Sequence, residues 1–454
     1  MTRRALVGIS LGSVAATILA VVLVAGGCSS KTTPKEAGPS VAGTEPLPAP
    51  PPPPGPVEKL PPVMLGIDVL EAENFAAIAG KNIGLLTHPA GVNRRGESTI
   101  DVLRRAPQSK LVCLFAPENG LEGNTKSAQR FDDFIHGPTG LPVYSVYGKH
   151  KSPTKEQLKN LDAVLVDLQD VGARSYTFIS WMRYAMEACF ENGVEIIILD
   201  RPNPLGGLKV GGPPLDLEWM SDVGAFRVPY VHGLTMGELA TMAKNAPRVL
   251  KVSDKVRAKG KLTVIPMRGW TRGMRWPDTG LKWVPTSPMI QTYEAAVGYS
   301  LLGLGWQNNA WFSGIGKDYA FRSIGYPKKK PEEIIEAMNA YNVPGIRLSR
   351  REGKTAEGKP AAGVYVEISD WDKWNPTEFC FYMHKQAEKW SPNKVYADLN
   401  RDQQRTFQIH VGSTAWYDAL ARDGMKVDVA AFIKNWQERA AVYQQSVKKY
   451  YLYP

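Results

Sequence analysis

Residues 162–170 read DAVLVDLQD, and the reading of the fold starts from them. Ala163 to Val166 form an unbroken apolar run, closed on either side by Asp162 and Asp167. A strand with one wet face alternates apolar and polar residues; a run without alternation suits a strand buried on both faces. Four neighbouring runs share the form: KNIGLLT (81–87), KLVCLFAPE (110–118), LPVYSVYG (141–148) and EIIILDRPN (195–203). Between them lie helix-like stretches, STIDVLRRA (98–106), SPTKEQLKNL (152–161) and YTFISWMRYAMEACFENG (176–193). Ser98 and Ser152 are predicted helix starts, and the Glu191-Asn192-Gly193 segment a helix stop. Strands alternating with helices predict a parallel sheet covered on both faces, a Rossmann-like doubly wound α/β domain.

In such a sheet ligands sit beyond the carboxyl ends of the strands. Glu118 ends one run, Asp167 and Asp170 a second, and Asp200, Arg201 and Asn203 a third. Asp and Asn are also ordinary turn formers, and Pro117, Pro202 and Pro204 mark turns, so each of these residues has a structural reading too. Glu118 stands apart because Glu is not a turn former. The loop GLLTHPAGVNRRG (84–96) lacks the glycine spacing of a dinucleotide site, and no phosphate loop is present.

The 454-residue chain carries a formal net charge of +11, which favours anionic partners. No dense basic run with interleaved aromatics occurs, so nucleic acid is not the expected partner. Cys113, Cys189 and Cys380 are widely separated and lie in apolar runs, as small buried hydrophobes do. No Cys/His cluster has zinc-site spacing, and no metal or cofactor is expected.

Residues 1–28 read as a secretory signal: Arg3 and Arg4, an apolar run, then Ala25-Gly26-Gly27 before Cys28. The small residues before Cys28 resemble a bacterial lipobox, which makes Cys28 a lipidated N-terminus; a membrane-spanning anchor is the other reading. Residues 29–63 are a Pro-rich tether. The domain expected over 64–261 is the Rossmann-like one. A smaller α+β domain is expected over 262–454, with strands at KLTVIPM, GIRLSRR and GVYVEISD. Its last helix carries an apolar stripe, Val429, Phe432, Ile433, Trp436 and Ala440. Trp270, Trp276, Trp283, Trp306 and Trp311, as a group, suggest a cleft wall near the domain junction.

TGLPVYSVYG (139–148), DLQDVGARSYTFIS (167–180), DRPNPLGG (200–207) and HGLTMGELA (232–240) resemble the exo-β-N-acetylmuramidase (NamZ-type) family. The resemblance runs from about Gly66 to the C-terminal YYLYP. It implies a Rossmann-like domain paired with a smaller C-terminal domain, the site lying in the cleft between. It also implies an exo-acting hydrolase releasing terminal N-acetylmuramic acid from peptidoglycan fragments in cell-wall turnover. The family's SPEHG motif corresponds to Ala116-Pro117-Glu118-Asn119-Gly120, which marks Glu118 as the candidate catalytic glutamate. Gln169, Asp170, Gly172, Arg174, Tyr176, Arg201, Asn203, His232 and Thr235 match the family pattern. Asn119, Met289, Gln307 and Ile315 depart from it, standing where the family has His, Asn, Glu and Arg.

On this resemblance Glu118 is the expected general acid, its carboxyl raised towards neutrality in an apolar-walled crevice. Asp170 or Asp167 is the expected partner. His232 either positions water or sugar, or simply starts a helix. Tyr176, Gln169, Asn203, Asn119 and Gln307 are expected to line the substrate. Arg174 or Arg201 is the expected cation for the lactyl carboxylate of muramic acid, or else forms an internal salt bridge. A fragment-binding protein with impaired catalysis on the same fold is the second function class. Both classes place the chain in the bacterial cell envelope, lipid-anchored, on the periplasmic side of the outer membrane.

Overall fold

The computed structural model describes residues 62–125, 129–307, 310–313, 315–316, 319–355 and 358–454. The signal, Cys28 and most of the tether lie outside these residues. The fold begins slightly before the expected boundary. Val63 is buried with Met267, Trp270 and Tyr453, and Met64 bridges to Arg268.

In chain order the first part comprises α1 (Gly66–Ala72), β1 (Asn82–Thr87), α2 (Thr99–Arg104), β2 (Lys110–Ala116), β3 (Phe134–Ile135), β4 (Pro142–Ser145), α3 (Lys155–Leu158), β5 (Ala163–Asp167), α4 (Phe178–Asn192), β6 (Glu195–Leu199), α5 (Met236–Asn245), α6 (Asp254–Lys259) and β7 (Leu262–Ile265). These strands form one seven-stranded sheet in the order β3-β4-β2-β1-β5-β6-β7, parallel throughout except for the short antiparallel edge strand β3. The chain reverses direction of growth between β1 and β5, the topological switch point of a doubly wound sheet. The Rossmann-like expectation holds.

The boundary expected at 261/262 does not. Leu262–Ile265 pairs with β6, Ile196 opposite Leu262, and is the last strand of the large sheet rather than the first of a new domain. The helix expected to start at Ser152 starts two residues later, because Thr154 and Gln157 exchange the side-chain to backbone bonds of a capping box. Ser98 caps α2, and Gly193 ends α4 with φ of 71°.

Side-chain alternation along the buried strands divides the core in two. Val164, Val166, Ile196 and Ile198 face one apolar cluster; Ala163, Leu165, Ile197 and Leu199 face the other. That explains the uninterrupted apolar run at 163–166: neither face is wet.

The second part contains α7 (Tyr293–Leu302), β8 (Ser323–Ile324), α8 (Pro331–Asn339), β9 (Ile346–Lys354), β10 (Pro360–Ile368), α9 (Glu378–Trp390), α10 (Arg401–Val411), α11 (Thr414–Asp423) and α12 (Val429–Val447). β8, β10 and β9 form a small antiparallel sheet. Its apolar face, Val364 and Val366, packs with Ile334, Phe379 and Met383. The α12 stripe is buried at Val429, Ile433, Trp436 and Ala440, with Phe432 half-buried. Phe381, Trp416 and Trp436 belong to the same cluster as Val164 and Ile196, so the C-terminal helices extend one face of the large sheet's core. Among the described residues no helix is long and apolar enough to cross a membrane.

Candidate active site

Glu118 stands two residues past the end of β2, after Pro117. It is buried, and the chain turns behind it through Asn119 and Gly120, with φ of 71° and 76°. Asn tolerates the left-handed region better than most side chains, and the motif's final glycine suits it fully. Glu118 Oε2 accepts a hydrogen bond from Thr177 Oγ1 at 2.9 Å. Thr177 is the residue before α4, so the carboxylate faces the positive end of a 15-residue helix.

Asp170 lies in the loop after β5. Its Oδ2 accepts from Gly172 N at 2.8 Å and from His232 Nε2 at 3.2 Å. Leu234 N donates to His232 Nδ1, which fixes the ring's proton on Nε2, facing Asp170. Asp170 Oδ1 is buried and accepts nothing among the described residues. Gly172 has φ of 80°, and a Cβ there would lie 2.4 Å from Asn203 Oδ1. Only glycine lets the two loops approach.

The structure separates two aspartates that the sequence left equivalent. Asp167 is fully buried, forms a two-pronged ion pair with Arg201 and also accepts from Thr99 Oγ1. It is committed to the framework. Asp170, by contrast, retains an oxygen that no group among the described residues engages.

Several binding expectations also change. Arg174 is fully buried, donating through Nη1 to Pro213 O and Val228 O and through Nη2 to His410 O and Val411 O. It fastens α10 to the first part and does not meet a ligand carboxylate. Asn203 donates to Leu234 O and accepts from Leu205 N, so its amide is spent on loop structure. His232 has both ring nitrogens in use and acts on Asp170 rather than on water or sugar. Tyr176 donates to Thr286 Oγ1 and packs edge-on against Tyr299. Gln307 donates to Gly303 O within its own turn, and Ile315 is buried against Gly353. Gln169 N donates to His88 Nε2, and Gln169 Nε2 donates to two carbonyls. Arg201 keeps Nη1 without a hydrogen bond beside its pair with Asp167.

The tryptophans do not form a cleft wall as a group. Trp270 packs on Tyr453, Trp306 stacks on Phe321, and Trp311 donates to Met383 O. Trp276 lines the cleft beside Gln169 and Arg201, with Trp283 edge-on behind it.

Tyr299, on α7, was not legible in the sequence. Its hydroxyl contacts Ser175 Oγ at 3.0 Å. Burial first, then the charges of Glu118 and Asp170, push its phenol up to about 12, so it stays protonated. A tyrosine inside an apolar helix carries no sequence signal; the role comes from where α7 docks. His88, in the loop after β1, also carried no sequence signal. Burial, then the nearby Arg201 charge, hold it well below the usual imidazole range, and its Nδ1 is buried without a partner.

Two carboxylates and a phenol gather at the carboxyl end of a doubly wound, Rossmann-like α/β sheet, side chains of the kind that acid–base chemistry uses. The chain belongs to the NamZ family: residues 83–294 match the N-terminal model and residues 299–453 the C-terminal model of exo-beta-N-acetylmuramidase NamZ. It is 35% identical over 399 residues to the peptidoglycan beta-N-acetylmuramidase NamZ of Bacillus subtilis strain 168, covering 87% of this chain and 92% of that one. Two crystal structures of DUF1343 family proteins from Bacteroides fragilis share the fold, each covering 86% of this chain and 99% of the other. One has a TM-score of 0.77 at 34% identity, the second 0.63 at 26%.

Proposed function

We propose that this protein is an exo-acting glycoside hydrolase that releases terminal N-acetylmuramic acid from peptidoglycan fragments. The observation that carries the reading is the placement of two buried carboxylates beyond the carboxyl ends of β2 and β5, Glu118 held by Thr177 and Asp170 by Gly172 N and His232, in a chain of the NamZ family. Glu118 protonates the leaving oxygen. Asp170, oriented by His232 and Gly172 N, supports the positive charge that develops on the sugar or activates water. Tyr299 adds a neutral hydroxyl to the site.

The same reading tethers the enzyme to the periplasmic face of the outer membrane through a lipid on Cys28. Cys28→Ala then abolishes lipid labelling; unchanged labelling rejects the anchor.

The deciding experiment incubates the protein with para-nitrophenyl N-acetylmuramide and with muropeptide fragments. Release of N-acetylmuramic acid supports the hydrolase. Binding without release favours a fragment-binding protein, a reading to which the buried Ile315, where the family has Arg, lends weight.

A further inference from the structure

The loops after β1, β5 and β6 meet the segment 276–284 around a cleft that is open to solvent. We propose that this cleft holds the two adjoining substituents that mark muramic acid, the acetamido group on C2 and the lactyl ether on C3, and that Lys282 reads the lactyl carboxylate. The proposal deepens the function given above and rests on it.

The first argument is an orphaned acceptor. Gln169 is 1% exposed and lines the cleft. Its Nε2 is committed to Asp170 O at 2.9 Å and Pro202 O at 3.0 Å, which fixes the amide's orientation. Its Oε1 is buried and accepts nothing among the described residues. A ligand there must bring a donor. A carboxylate has none, whereas an acetamido group brings its N–H.

The second argument is charge. Arg94, Arg201 and Lys282 all line the cleft. Asp167 pairs with Arg201, and Asp68 lies 3.9 Å from Arg94. Among the described residues Lys282 has no carboxylate partner. The lining therefore carries one surplus positive charge, with Arg201 Nη1 as a second free donor for a forked carboxylate. One surplus charge suits a monoanion and leaves a phosphate dianion half matched.

The third argument is the apolar remainder. Trp276, Val92 and Val284 are among the apolar residues of the lining and suit the methyl groups of the acetyl and lactyl substituents. A donor, a single negative charge and two methyls on neighbouring carbons describe the C2–C3 edge of N-acetylmuramic acid. C1 is bonded to C2, so a sugar seated by that edge keeps its reacting carbon beside Gln169, and Asp170 is the next residue.

The test is calorimetric titration of the intact protein with free N-acetylmuramic acid and with N-acetylglucosamine. Lys282 is exposed, so Lys282→Gln leaves folding unchanged. The expected result is a loss of about fivefold to tenfold in N-acetylmuramic acid affinity, with N-acetylglucosamine changed by less than about twofold, and recovery of most of the loss in Lys282→Arg. Gln169→Leu weakens both sugars. An unchanged N-acetylmuramic acid affinity in Lys282→Gln overturns the assignment, as does an equal loss for both sugars or a wild type that prefers N-acetylmuramic acid 6-phosphate. If the wild type discriminates as expected but releases no sugar from fragments, the hydrolase reading falls and the cleft assignment stands. If it releases the sugar and Lys282→Gln does so with unchanged affinity and kcat/KM, the assignment falls and the hydrolase stands.

Discussion

The hydroxyl of Tyr453 donates to Asp200 Oδ2 at 2.5 Å, tying the penultimate residue of the chain to the end of β6. Asp200 also accepts from Thr235 Oγ1 and Gly237 N. Burial nonetheless pushes its carboxyl up to about 6. A carboxyl raised in the folded state binds more protons there than in the unfolded chain. Its contribution to stability is therefore present below about pH 4 and declines as pH rises to about 6. Tyr453→Phe removes a donor that favours the charged form. We expect it to cost about 1.5–3 kcal/mol at pH 7.5, where the carboxylate is charged, and about 0.5–1.5 kcal/mol at pH 4, where it is neutral. Urea denaturation at the two pH values measures the difference; equal costs would separate Tyr453 from the charge on Asp200.

His384 and His410 act in the opposite direction. Burial lowers both to about 4. His384 donates from Nε2 to Leu304 O and accepts from Trp416 Nε1, a pattern that requires the neutral ring. The unfolded chain takes up protons near pH 6.5 while the folded protein does not, so these residues lose stability as pH falls from about 6.5 to 4. His384→Gln does not titrate. Its destabilisation relative to wild type should shrink by about 2–3 kcal/mol between pH 7.5 and pH 4.5. A pH-independent gap in paired denaturation curves would show that His384 does not cause the acid lability.

Glu118→Gln keeps an acceptor for Thr177 and removes the transferable proton. Turnover should fall by about 10²–10⁴-fold while fragment binding and the thermal midpoint stay near wild type. Retained turnover would remove Glu118 from the mechanism.

His232→Gln should lower kcat by roughly tenfold or more through Asp170, with a smaller change in KM, because both ring nitrogens are already bonded within the protein. Steady-state kinetics on the para-nitrophenyl glycoside decide it: a loss confined to KM would give the ring a direct role in binding.

Arg174→Gln should fail as a fold rather than as a binding site. Truncating it leaves buried carbonyls at Pro213, Val228, His410 and Val411 without their donor. A loss of about 3–5 kcal/mol is expected. A variant with an unchanged thermal midpoint and selectively weakened muramic acid binding would reinstate it as a ligand cation.

The sheet was legible in the sequence because strands buried on both faces leave an uninterrupted apolar signature, as at 163–166. β7 was misassigned because LTVI reads the same whether it closes one sheet or opens another; pairing with β6 is a tertiary fact. At the site, Glu118 and Asp170 could be found because carboxylates at strand ends project towards the switch point. Sequence alone could not show that Asp167 is neutralised by Arg201, since that pair joins positions 34 residues apart. Nor could it show that Arg174 spends its donors on carbonyls more than 200 residues downstream. Tyr299 and Lys282 take their roles from the packing of the segments that carry them.

Two family models divide this chain at residues 294 and 299, but Arg174 and Tyr453 reach across that division from opposite ends. The aromatic helices after residue 378 fill the same core as β5 and β6. The consequence is cooperativity: the two segments melt together, in one calorimetric transition whose van't Hoff and measured enthalpies agree. Neither segment, expressed alone, keeps a native melting transition, because each would present to water the apolar surface that the other now covers.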